Sequence, residues 1–372
     1  MSRGSQVKVK SKTWVRDKDE LFDHCSSQTV ANKLTLQGSA WVARSKNELH
    51  SIEEAANGLF RIELNGRGCI LASPAPATPL WLSLSNTKLP GRQKKFRLGK
   101  GNVLRLGRLT LTVKELSGFA NYSHLANSYN TADLAAHGLG RTPDPAAVHQ
   151  DPHLDPQDAC RICLCEEDED GRGPVNACGC SGSAGLIHAQ CLRKWLLTRA
   201  SVKENGNVRE FSWKELKCEL CKVEYPYTIQ AGNIVHRLLP LEPPAGKSLI
   251  LQGRVDAEKR TVFYVLALDR QRRFGLGRDS QSAVNASTLT VSRVHAELIV
   301  KKSGVYIKDR QSTFGTLVRV DKPLRVNPKH PVTVQCGRSV VSVSTKQAWS
   351  MVSCMCGSQP RKVTHDWRTE DV

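Results

Sequence analysis

Eight side chains able to bind a metal fall close together in the middle of the chain. Cys160 and Cys163 are two residues apart, Cys178 and Cys180 one, His188 and Cys191 two, and Cys218 and Cys221 two; gaps of fourteen, seven and twenty-six residues separate the pairs. Thiolate and imidazole together suit zinc, which takes four such ligands without redox chemistry. Eight ligands make two tetrahedral sites, and a shell closed by four protein ligands is structural rather than catalytic. Scattered free cysteines do not account for four correctly spaced pairs within 62 residues. Cys165 fits no pair and reads as a spare thiol. Cys25, Cys69 and Cys336 are isolated, and Cys354 and Cys356 sit in a polar tail without partners.

A second group of candidates lies on three segments nearer the carboxy terminus: Phe274-Gly275-Leu276-Gly277-Arg278, Thr288-Leu289-Thr290-Val291-Ser292-Arg293-Val294-His295-Ala296, and Ile307-Lys308-Asp309-Arg310-Gln311-Ser312-Thr313-Phe314-Gly315-Thr316. Each sets small or basic residues beside an alternating apolar run.

Such loops need a β scaffold, and the surrounding sequence reads as one. Strands are predicted at Phe263–Leu268, His295–Lys302, Val305–Lys308, Thr316–Val320 and Val340–Ser344, with turns between them. Residues 58–116 alternate in the same way, as in Phe60-Arg61-Ile62-Glu63-Leu64 and Leu80-Trp81-Leu82-Ser83-Leu84. Leu106-Gly107-Arg108-Leu109-Thr110-Leu111-Thr112-Val113 aligns with Cys336-Gly337-Arg338-Ser339-Val340-Val341-Ser342-Val343, which marks two related β units flanking the cysteines. Residues 124–158 hold one basic residue (Arg141), four prolines and four histidines without fixed spacing, the composition of a solvated linker. The resulting boundaries are an unassigned segment 1–50, a β-rich module 51–118, a flexible linker 119–157, a zinc domain 158–228, a β domain 246–346 and a polar tail 347–372.

The chain's 372 residues leave room for two to four domains. Its 54 Lys and Arg against 35 Asp and Glu give a charge of +19 and favour anionic partners. Few aromatics interleave the basic stretches Lys88–Lys114 and Lys301–Lys346, so these read as solvated strand faces rather than a nucleic-acid surface. The longest apolar run, Val262–Leu268, is far short of a membrane span of ~18 residues. The amino terminus lacks the apolar core of a secretory signal, which places the thirteen cysteines in a reducing compartment. These features lead to the expectation of a soluble cytoplasmic or nuclear protein without a membrane partner.

The order of ligands, with its histidine fifth, and the segments Cys160-Arg161-Ile162-Cys163, His188-Ala189-Gln190-Cys191-Leu192-Arg193-Lys194-Trp195-Leu196 and Cys218-Glu219-Leu220-Cys221-Lys222-Val223-Glu224-Tyr225 resemble the RING-CH (RING-variant) family of ubiquitin ligases. The resemblance covers about 70 residues. It implies a cross-brace, with Cys160, Cys163, His188 and Cys191 on one Zn(2+) and Cys178, Cys180, Cys218 and Cys221 on a second. It also implies that Ile162, Trp195 and Lys222 dock a ubiquitin-conjugating enzyme charged with ubiquitin. The activity implied is scaffolding by proximity and orientation, with no catalytic side chain and no covalent intermediate. A PHD-type reader of histone tails has a similar ligand count, but wants a shorter gap before the histidine and an aromatic where Leu216 stands.

The three loop segments, in their order and spacing, resemble the forkhead-associated (FHA) domain, a β-sandwich that binds phosphothreonine. The resemblance implies that Arg278 offers a charge-assisted fork to the phosphate, Ser292 a hydroxyl and Thr313 a third contact, with His295 bracing the loop. Phe314 departs from the family, which carries a ligand-contacting asparagine there; an aromatic ring supplies no amide. Gly101-Asn102-Val103-Leu104-Arg105-Leu106-Gly107-Arg108 is similar to the turn into the closing strand of an FHA fold, without an upstream Ser-x-x-His, so the amino-terminal module reads as degenerate and FHA-like. The expectation is a multidomain, mainly β ubiquitin-protein transferase, with a central RING-CH domain and a carboxy-terminal FHA sandwich that recruits phosphothreonine proteins. The alternative is a phospho-dependent adaptor with an inactive zinc scaffold.

Overall fold

Alternation begins at the amino terminus: along the strand Gln6–Trp14, Val7 and Val9 enter a core while Lys10 and Lys12 stay exposed. The computed structural model describes residues 6–15, 21–54, 58–65, 68–72, 79–85, 95–119, 159–231, 234–255, 260–326 and 331–346. The expected linker from residue 120 onward and the polar tail, with Cys354 and Cys356, lie outside the described residues. The protein is multidomain and mainly β, with the cysteine clusters at its centre and the FHA region toward the carboxy terminus. Among the described residues, ten strands from Gln6 to Ser117 are matched by ten from Ser248 to Lys346. Two repeats therefore flank the zinc region, as the aligned turn-and-strand motif implied.

The repeats do not close separately. One sandwich sets Ala40–Ser45, Glu48–Ile52, Phe60–Asn65 and Gly68–Ala72, extended by Leu324–Val326, against Gln6–Trp14, Thr29–Leu36, Val332–Cys336 and Ser339–Lys346. Its core contains Val7, Phe60, Ile62, Leu71, Val334 and Val343. The other sets Arg273–Gly277, Val284–Asn285, Ala296–Lys301 and Gly304–Asp309, extended by Lys95–Arg97, against Val103–Leu106, Leu109–Ser117, Ser248–Val255, Thr261–Ala267 and Thr316–Arg319. Leu104, Leu111, Leu251, Phe274, Leu298 and Ile307 fill it. Each sandwich is thus closed by the last three strands of the opposite repeat, and one twelve-stranded sheet runs through both.

This exchange corrects the contiguous boundaries 51–118 and 246–346. Val9 pairs with Val343 rather than with its own repeat's Val113, and Leu111 pairs with Gly253. The two closing hairpins have the same alternation and the same tight turn, with Gly107 at φ +58° and Gly337 at φ +54°. Alternation decides which side chains of a strand turn inward, but not which of two similar cores receives them. Among the described residues, the segment 1–50 supplies three strands and most of a fourth, Glu48–Ile52. Lysines on the solvent face of the first of them mask its apolar face in the composition.

The zinc region extends past the expected boundary at 228. A hairpin Thr228–Ala231/Ile234–Arg237 follows, and Leu238, Leu239 and Leu241 are buried beyond it. A further hairpin, Ser201–Asn205/Val208–Trp213, rises between the ligand pairs and hydrogen-bonds through its second strand to Thr261–Ala267, adding two strands to the long sheet.

Candidate functional site

The long gap between Cys191 and Cys218 is taken up by a helix and that hairpin, which return the chain to the metal-binding end. In the helix Ala189–Thr198, Leu192 and Leu196 lie one turn apart and are buried. It ends at Arg199, whose N–H reaches the carbonyls of Leu196 and Leu197. His188 holds the N-cap position but makes no side-chain cap bond. Its Nδ1 instead lies 3.3 Å from Cys163 Sγ and 3.9 Å from Cys191 Sγ. Nε2 lies 3.3 Å from the Glu166 carbonyl, which holds the proton on that nitrogen and leaves Nδ1 free as a ligand.

Cys160, Cys163, His188 and Cys191 form one cluster, and Cys178, Cys180, Cys218 and Cys221 the other; within each the ligand atoms lie within 4.8 Å of one another. Both fit zinc in number, donor type and spacing. The two Cys-x-x-Cys turns are built alike: Leu164 N–H donates to the Cys160 carbonyl at 2.8 Å and Lys222 N–H to the Cys218 carbonyl at 3.0 Å, with left-handed φ of +60° at Leu164 and +61° at Lys222. The guanidinium of Arg161 reaches from the first turn to Cys218 Sγ at 3.7 Å and the Tyr225 hydroxyl at 3.3 Å. Burial alone would raise the Cys218 thiol, but backbone N–H groups at Cys221 and Leu220, with Arg161 and Tyr225, bring it down to about 5.

Two of the three expected docking residues meet in one groove. Ile162, 44 % exposed, and half-buried Trp195 line a hollow of about 250 Å³ with Ile187, Leu192, Leu220 and Tyr225. Arg199 stacks over Trp195 at 4.8 Å and pairs with Glu219 at 2.8 Å, closing one rim. Lys222 is exposed on the neighbouring turn and does not line the groove.

The three phosphate candidates converge at one end of the second sandwich. Arg278 N–H donates to the Ser292 carbonyl at 3.0 Å, and Thr313 N–H to Ser292 Oγ at 3.2 Å. The Arg278 side chain is exposed, its Nε reaching the Val291 carbonyl at 3.4 Å. Gly277 permits this approach: a Cβ there would stand 1.9 Å from the Arg293 carbonyl oxygen. Buried His295 accepts Ser292 N–H on Nδ1 at 3.1 Å, and its Nε2 lies 3.1 Å from the Gly315 carbonyl, so one neutral imidazole ties two loops together. Desolvation lowers its pKa and keeps it neutral.

Two supports escaped the sequence reading. Buried Asp309 accepts Ser312 Oγ and Thr316 Oγ1, each at 2.6 Å, and Gln311 N–H at 2.9 Å, so it shapes the loop that carries Thr313. Its spacing from Ser312 was the available signal. The second support comes from the other repeat: His24 N–H donates to the Thr313 carbonyl at 3.0 Å, with Leu21 and Phe22 buried beside it. No local signal links residues 289 positions apart.

Comparison with known proteins agrees with this geometry. A family model for the RING-variant domain matches residues 160–221, and one for the FHA domain matches 274–338. The mouse protein named E3 ubiquitin-protein ligase MARCHF2 is 34 % identical over 73 residues, 19 % of this chain and 24 % of that protein. Human E3 ubiquitin-protein ligase MARCHF8 is 28 % identical over 103 residues, 27 % and 30 %, and human MARCHF1 33 % identical over 69 residues, 18 % and 19 %. The chain thus spans less than a third of the length of these relatives. No solved structure matches it. The expectation of a soluble cytoplasmic or nuclear protein is corrected here, because these relatives are membrane-associated ligases. Among the described residues no helix is long and apolar enough to cross a membrane. The chain carries a RING-variant (RING-CH) domain at residues 160–221 and an FHA domain over 274–338.

Proposed function

We propose that this chain is a ubiquitin-protein ligase that transfers ubiquitin to phosphothreonine proteins. In this reading Cys160, Cys163, His188 and Cys191 hold one zinc ion and Cys178, Cys180, Cys218 and Cys221 a second. The metals supply folding energy and keep closed shells, so no step of the reaction passes through them. Ile162 and Trp195 seat the charged conjugating enzyme in the apolar groove, and Lys222 reaches its ubiquitin from the adjacent turn. Arg278, Ser292 and Thr313 take the phosphate of a threonine on the substrate or on a partner. The observation that carries the reading is the groove between the two ligand clusters, which exposes Ile162 and Leu220 around a tryptophan anchor.

The test is discharge of ubiquitin-charged conjugating enzymes by purified chain. Trp195→Ala is expected to cut discharge at least ~10-fold, the loss of one hot spot of about 1.4 kcal/mol or more, with bound zinc unchanged. Failure of the unaltered, zinc-loaded chain across a broad panel of conjugating enzymes would leave a phospho-dependent adaptor. Arg278→Ala should remove selective binding of a phosphothreonine peptide; unchanged binding would place the pocket elsewhere.

A further inference from the structure

We infer that the zinc domain and the phosphate-binding sandwich work as one rigid ruler, so that the acceptor lysine must stand at a set reach from the phosphothreonine. This rests on the ligase reading above and narrows its substrates to phosphothreonine proteins with a lysine at matched distance.

Domains joined in one chain move against each other by default unless their interface is large and apolar. This junction is both apolar and hydrogen-bonded as sheet. Six consecutive residue pairs, from Val208 with Leu266 to Trp213 with Thr261, continue the sandwich sheet into the zinc domain. Behind them Ile250, Phe263 and Val265 of the sandwich share one core with Leu192, Leu196 and Trp213 of the zinc domain. Trp213 Nε1 donates to the Leu196 carbonyl at 2.9 Å, which binds the hairpin to the helix that carries Trp195. Glu115 of the sandwich accepts both the Tyr227 hydroxyl at 2.8 Å and Arg237 at 2.7 Å.

The connection from 238 to 247 is no swivel. Leu238, Leu239 and Leu241 are buried, Arg209 holds the Glu242 carbonyl at 2.7 Å, and Lys247 N–H holds Asp269 at 2.7 Å. The two sites also share an end of the sheet. Arg254 pairs with Glu224, three residues past the last cysteine. Its neighbour Val255 pairs with Leu109 beside the Gly107–Arg108 turn, and Arg108 N–H donates to Thr290 Oγ1 on the phosphate loop at 2.9 Å.

In transfer, the deprotonated lysine amine attacks the thioester carbonyl carbon. The C–N bond forms, the C–S bond breaks, and the conjugating enzyme's thiolate leaves and takes up a proton. A flexible tether would offer the amine a broad range of positions, whereas a rigid frame offers a narrow one.

The test uses the full chain, a charged conjugating enzyme, and peptides bearing one phosphothreonine and one lysine separated by proline spacers, which extend about 3.1 Å per residue. The expected profile of ubiquitin transfer against spacer length has one maximum, with transfer falling at least ~10-fold on either side. A flat profile overturns the inference. Peptide affinity and discharge to free lysine, measured on the same samples, separate the two levels: loss of either defeats the ligase reading and this inference with it, while both intact beside a flat profile defeats rigidity alone. Hydrogen exchange gives a check independent of activity. Amides of Val208–Trp213 should open together with those of Leu249–Leu251, and opening of the hairpin ladder alone at a rate at least ~10-fold faster would also overturn the proposal.

Discussion

The loops that carry Arg278, Ser292 and Thr313 are held from behind by buried side chains. His295 can accept Ser292 N–H only while neutral, and burial lowers its pKa below the ordinary 6.5. The unfolded chain therefore takes up a proton near pH 6.5 that the folded chain refuses, so folding stability is present above this value and is lost as pH falls toward the depressed folded value. In zinc-saturated buffer, the midpoint of thermal unfolding should fall between about pH 7 and pH 5.5, and His295→Gln should flatten that slope. An equal slope in the variant would mean that other groups carry the titration. Gly277 makes a sharper case, because a single methyl there meets the Arg293 carbonyl. Gly277→Ala should weaken phosphopeptide binding about 5- to 150-fold while zinc content stays constant, since an overpacked contact of this kind costs about 1–3 kcal/mol. Titration of a phosphothreonine peptide checks it.

At the scale of elements, the exchanged hairpins can be tested by a crosslink. Lys10 stands opposite Ser342, whereas a first repeat closed by its own hairpin would set Lys10 against Thr112, the aligned position. Directly opposed strand residues have Cβ atoms about 4.5–5.5 Å apart, near the reach of a disulfide. Lys10→Cys with Ser342→Cys should therefore oxidise to a crosslink mapped by mass spectrometry, and Lys10→Cys with Thr112→Cys should not. The reverse outcome would refute the exchange. The strands themselves were legible from sequence: alternation placed Phe263–Leu268 and Thr316–Val320 close to where they lie, at Thr261–Ala267 and Thr316–Arg319. The four ligand pairs were legible as well, because metal spacing is local within each pair, while their cross-braced grouping into two clusters followed from the resemblance to the RING-CH family. Strand exchange was not, since Val113 and Val343 are interchangeable in pattern and only tertiary pairing tells them apart. The hairpin Ser201–Asn205/Val208–Trp213 was hidden for another reason: Val202 and Lys203 lie on an exposed edge strand, so their sequence gives no core-facing alternation.

For the whole molecule, the zinc domain is nested between two repeats that close each other, and its core continues into the second sandwich. Chelating the metal should release two zinc ions per chain and unfold the helix Ala189–Thr198, exposing the apolar face of Phe263 and Val265. Circular dichroism and metal analysis would follow both, and a helix that survives complete metal removal would refute zinc-dependent folding. The central claim joins the two sites: phosphate recognition at one should drive ubiquitin transfer at the other. The most direct measurement is the rate of ubiquitin transfer by the full chain to one substrate with and without its phosphothreonine, repeated with Arg278→Ala. The phosphorylated substrate should react at least ~10-fold faster at substrate concentrations below the dissociation constant, and the substitution should erase the difference while discharge to free lysine persists. Equal rates for the two forms of the substrate, with discharge to free lysine intact, would contradict the account.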